Sequence, residues 1–99
     1  MNIVNYIKNQ RAWSEKTFGK GARTEGICLH IEKELEEIRV EPADLSEWAD
    51  VIILALDGAW RAGHSPQAIW EALLGKQQIN FEREWPAPGP EDQPNEHIR

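Results

Sequence analysis

Between Thr24 and Arg39 the apolar residues Ile27, Ile31, Leu35 and Ile38 recur at intervals of four, four and three. That spacing lays one hydrophobic stripe along a helix. His30, Glu34 and Glu37 recur at four and three on a neighbouring stripe. Thr24 is the expected N-cap. "VEP" ends the helix, because the residue before Pro42 is pushed out of the α region. A weaker stripe of Ile3, Tyr6, Ile7 and Trp13 predicts an earlier helix over residues 2–16. The loop between the two is marked by Gly19 and Gly21 and carries a small basic patch, Lys20 and Arg23.

A third helix is predicted over 44–62, with Asp44 as N-cap and Glu47 completing a capping box. Its run "WADVIILALDGAW" is apolar almost all round, so this helix should be central and buried. Gly63 suits the position just past its end. The fourth helix starts with Ser65 as N-cap and Pro66 at its first position, and continues to about Glu84 through Gly75. The reading is all-α, four helices without strands. Short connections imply antiparallel neighbours. After Trp85 the chain turns rich in Pro and polar residues, so the expected organisation is one domain over 1–86 and a flexible tail over 87–99.

Composition narrows the function. A chain of 99 residues suits one domain. The formal net charge of −6 argues against a broad grip on nucleic acid, which needs clustered Lys and Arg. No apolar run is long enough to span a membrane. Cys28 is the lone cysteine, so an intrachain disulfide is impossible; a reducing cytoplasm is the expected compartment and a small core residue the expected role. Trp48, Trp60 and Trp70 offer more apolar surface than four helices easily hide, which points to a homo-oligomer, a dimer or tetramer.

The candidate chemistry lies in residues 30–50, which hold eight carboxylates. One Glu-x-x-Glu on a Glu-rich helix is ordinary solvated surface, and Glu47 already has a capping role. Two pairs change the picture. Glu34 with Glu37, and Glu47 with Asp50, each sit three apart on successive helices, so each pair projects together. The short turn between the helices puts both pairs at one end of a hairpin. Converging carboxylates repel, and an oxygen-preferring divalent cation, Mg²⁺ or Mn²⁺, removes the conflict. A di-iron site is disfavoured, since the helical core lacks Glu-x-x-His. Asp50 and Asp57 lie on an apolar helix, so they should avoid bulk solvent and need a metal or a basic partner. On the fourth helix Lys76, Asn80 and Arg83 share a face that suits phosphate oxygens and a base or sugar edge, or else form a solvated helix end. His30, one turn before Glu34, is a packing residue or a further substrate contact.

The segments "HIEKELEE", "EWADVIILALDGAWRAG" and "KQQINFEREWP" together resemble the MazG-like all-α nucleoside triphosphate pyrophosphohydrolases. The nearest likeness is to the short dATP/dGTP diphosphohydrolase type common in phages and prophages. The resemblance spans roughly residues 5–86. It implies a four-helix domain completed by oligomerisation, with Glu34, Glu37, Glu47 and Asp50 holding Mg²⁺. It also implies that Lys76, Asn80 and Arg83 contact the nucleotide. The implied reaction converts a (deoxy)nucleoside triphosphate to monophosphate and pyrophosphate, with Glu37 and Glu34 as the catalytic carboxylates that orient or deprotonate water. The alternative is a non-catalytic acidic helical module that binds a nucleotide or a basic protein surface.

Overall fold

A computed structural model describes residues 2–89 and 92–98. They form four helices: α1 (Ile3–Phe18), α2 (Thr24–Val40), α3 (Leu45–Arg61) and α4 (Pro66–Glu82). No strand occurs among the described residues; a single bridge pairs Glu84 with Ile98. Among the described residues no helix is long and apolar enough to cross a membrane.

Local chemistry explains the ends. Asn2 caps α1 by accepting from the backbone N–H of Asn5, and Asp44 caps α3 by accepting from that of Ser46. Ser65 accepts from the N–H of Ala68, with Pro66 at the first position of α4. Gly63 takes a φ of +108° just past α3, which side chains rarely tolerate. Two expected caps differ. Thr24 is already helical, and Arg23 precedes it without a side-chain cap. The capping box is half made: the backbone N–H of Asp44 donates to Glu41 instead, because the Glu47 carboxyl is drawn across to α2. Gly75 leaves α4 unbroken.

α3 is the central helix, packed by α1, α2 and α4. α2 and α3 form a hairpin around the turn 41–44. α1 skips α2 and packs on α3 and α4; α4 makes no contact with α2. Ile7, Leu56, Trp60 and Ile69 form the buried core, flanked by Ile3, Tyr6 and Ala59. Gly58 faces Ile27, whose Cγ2 a Cβ there would touch at 3.4 Å.

The core is smaller than the apolar pattern predicts. Trp48 and Ile52 were expected to be buried, yet Ile52 is 60% exposed and Trp48 is also exposed. Both lie on a face of α3 that no helix of the same chain covers. Trp13 is likewise exposed on α1, and Leu35 on α2. Cys28 is exposed rather than a core residue. Beyond Glu82 the described residues hold no helix; Trp85 packs edge-on against His97, and Ile98 N donates to Glu84 O.

Candidate functional site

α2 and α3 bring the carboxylates of Glu34, Glu37 and Glu47 together, with one oxygen of each within 4.8 Å of the others. The placement follows from helix period: Glu34 and Glu37 are one turn apart on α2, and Glu47 lies in the first turn of α3 beside them. Glu34 is buried and its Oε1 lies 3.3 Å from His30 Nε2. Its Oε2, and Oε2 of Glu47, are buried without a hydrogen-bond donor.

Three carboxylates this close cannot all carry charge cheaply. The hydrogen bond to Glu37, supported by Glu34, pushes the Glu47 carboxyl up to about 7. The same contact with Glu47, then that with Glu34, lowers Glu37. Of the three, Glu47 is thus the carboxyl that holds its proton to the highest pH. The donor set is all oxygen and includes two orphaned buried oxygens, which fits a hard divalent cation.

Asp50 stands apart from this compact set. It is exposed, against the expectation for a residue on so apolar a helix, because its side of α3 opens on a cleft. The cleft has a volume of about 420 Å³. Glu34 and Asp50 line its carboxylate end, and Trp13, Phe18, Ile27, Ile53 and Leu54 give it apolar walls. Arg23 and His30 also line it. Arg23 lies over the Phe18 ring at 5.7 Å and donates to the Phe18 carbonyl. The wall toward α1 and the end of α3 is closed by Ser14, Asp57 and Arg61. Asp57 finds the basic partner that its burial demands in Arg61, four residues on.

The α4 residues are not brought to this place. No α4 side chain lines the cleft, and α4 does not touch α2. Lys76 is exposed and Asn80 half-buried; the Asn80 carbonyl accepts from Trp85 Nε1. Arg83 is the C-cap of α4: its backbone N–H still donates to the Ile79 carbonyl, and its ψ of 151° turns the chain off the helix only after it. Spacing missed Trp13, Ser14 and Arg61 as site residues. The loop signal "TFGKGART" was the available clue, since Arg61 is bonded to that loop.

Comparison with known proteins adds three findings. Residues 6–99 match the family described as dATP/dGTP pyrophosphohydrolase. The chain is 39% identical over 94 residues to the Eaa protein of Salmonella phage P22, an alignment covering 94% of this chain and 29% of that protein. The chain thus spans under a third of that relative's length. No solved structure matches. With its four helices and acidic hairpin, the chain belongs to the dATP/dGTP pyrophosphohydrolase family.

Proposed function

We propose that this chain hydrolyses a purine deoxynucleoside triphosphate, dATP or dGTP, to the monophosphate and pyrophosphate, with Mg²⁺ as cofactor. The observation that carries the reading is the Glu34, Glu37 and Glu47 cluster with its two orphaned buried oxygens, which reaches the cleft through Glu34. Glu34, Glu37 and Glu47 hold the cation, and Asp50 adds a carboxylate from the cleft side. When bound, the cation supplies charge neutralisation of the phosphates and acidification of a water. Glu37, made a weaker base by its neighbours, is suited to orienting the attacking water, with Glu34 beside it. His30 positions Glu34 and borders the substrate. The apolar walls exclude water and take the nucleoside.

The protein acts as a homo-oligomer in this reading. The outer half of α4 exposes Leu73, Leu74, Ile79 and Phe81 beside Lys76 and Asn80. The α3 face with Leu45, Trp48 and Ile52, next to Glu47, is uncovered. α4 of one protomer on that face of another buries both apolar surfaces. It also brings Lys76, Asn80 and the nearby Arg83 to the phosphates of the neighbour's site, which they do not reach in a single chain. The test is Mg²⁺-dependent release of pyrophosphate from a panel of nucleoside triphosphates. Activity that is absent in wild type, or intact in both Glu34→Gln and Glu47→Gln, defeats the proposal.

A further inference from the structure

Asp57 lies two helical turns beyond Asp50 on α3 and lines the same cleft. Ser14 Oγ donates to its Oδ2 at 2.6 Å, and Arg61 Nε donates to its Oδ1 at 2.5 Å. Arg61 donates through Nη1 to the carbonyls of Gly19 and Gly21, at 2.9 and 3.0 Å. Its Nη2 donates to Ser14 Oγ at 3.0 Å and to the Ser14 carbonyl at 3.4 Å. A guanidinium has five N–H donors, and these contacts use all of them. The Ser14 hydroxyl both donates and accepts within the same network. Arg61 cannot serve a ligand without breaking it, and the one acceptor site left on Ser14 lies on a fully buried residue.

Asp57 is different. Each oxygen of an ionised carboxylate can accept two hydrogen bonds, and here each receives one. Its side chain keeps 13% exposure on the cleft, whereas that of Arg61 keeps 2%. Asp57 therefore presents fixed, spare acceptors beside apolar walls. An anionic acceptor repels phosphate and selects N–H donors. Asp50 and Asp57 are separated by ~10 Å along the helix, at 1.5 Å per residue, a span that a nucleoside monophosphate unit bridges.

We propose that Asp57 reads the base: its carboxylate accepts hydrogen bonds from the ring or exocyclic N–H groups of a purine whose phosphates lie at the Glu34 and Asp50 end. Ser14 and Arg61 are positioning residues that aim it. This rests on the nucleotide-hydrolase reading above. The test compares kcat/KM of the wild-type protein, with Mg²⁺, on substrates that differ by one donor. One pair is dATP and its 6-hydrogen purine analogue; the other is dGTP and deoxyinosine triphosphate, which lacks the 2-amino group. About a tenfold or greater loss is expected in at least one pair, the scale of a hydrogen bond to a charged group. Asp57→Asn should bring that ratio toward one. Ser14→Ala, which keeps the ion pair and so guards against misfolding, should shrink it in part. Equal kcat/KM within both wild-type pairs, or an unchanged ratio in either variant, overturns the proposal. A wild type that hydrolyses no nucleotide overturns the hydrolase reading itself.

Discussion

Glu47, in the first turn of α3, meets Glu37 on α2, and that contact pushes its carboxyl up to about 7. The raised value has a definite consequence for stability. Between the ordinary 4.5 and about 7, the folded chain binds more proton at Glu47 than the unfolded chain does. Stability from this group is therefore greatest at low pH and lost as pH rises through 7. Glu37, being lowered, acts the opposite way only below the ordinary carboxylate range. Thermal melts in chelator should show Tm falling between pH 5 and 8. Adding Mg²⁺ or Mn²⁺ should raise Tm more at pH 8 than at pH 5, because cation binding must displace the proton that Glu47 carries at the lower pH. A flat profile with no response to either cation contradicts the cluster as a metal site.

Glu47→Gln separates metal binding from folding. The amide removes one of three crowded charges, so the metal-free variant should melt at or above the wild-type temperature at pH 8. Its Mg²⁺-dependent pyrophosphate release should fall by about tenfold to hundredfold, as for other changes that disturb metal sites. Loss of both stability and activity points instead to a folding defect.

Arg61→Ala strands Asp57 as a buried charge and removes a donor from the backbone carbonyls of Ser14, Gly19 and Gly21. Breaking a buried pair from one side costs about 3–5 kcal/mol. Arg61→Lys should recover little, since an ammonium cannot reproduce the planar fork. Urea denaturation read by Trp fluorescence would measure both.

Ile7 is fully buried against Leu56, Trp60 and Ile69. Ile7→Ala should cost about 2–5 kcal/mol, much for a core this small. Ile52→Ala, at a site 60% exposed in the single chain, should be near neutral in a monomer but costly in an oligomer. Comparing the two by denaturation at several protein concentrations tests whether that α3 face is covered in solution.

Site sharing between protomers has its own signature. Glu47→Gln and Lys76→Ala should each lower activity. Mixing the two after co-refolding should restore up to about a quarter of wild-type activity if each site draws Glu47 from one chain and Lys76 from another, because random pairing leaves that share of sites intact. No recovery on mixing argues that α4 serves no neighbouring site.

Much of the local structure is legible in the residues themselves. Helix period, the caps at Asp44 and Ser65, and glycine at position 63 fix four helices to within a few residues. The same period projects Glu34 with Glu37, and the short turn brings Glu47 to them. These are consequences of bonds and contacts between residues near in sequence, where 3.6 residues per turn dictates neighbours.

Tertiary packing decided the rest. Asp50 was paired with Glu47 by spacing, yet only packing shows that it opens on the cleft and outside the compact cluster. Lys76 and Asn80 share a face by spacing, but α4 leans on α1 and α3 and stays off α2. The periodicity of α3 marks Trp48 and Ile52 as apolar without saying which molecule covers them. Arg61 sits in the last turn of α3, and only packing closes α1 and its glycine loop over it. Each depends on contacts between different helices rather than on neighbours within one. Such contacts are set by which apolar faces find each other, and that choice is made only when the whole chain packs.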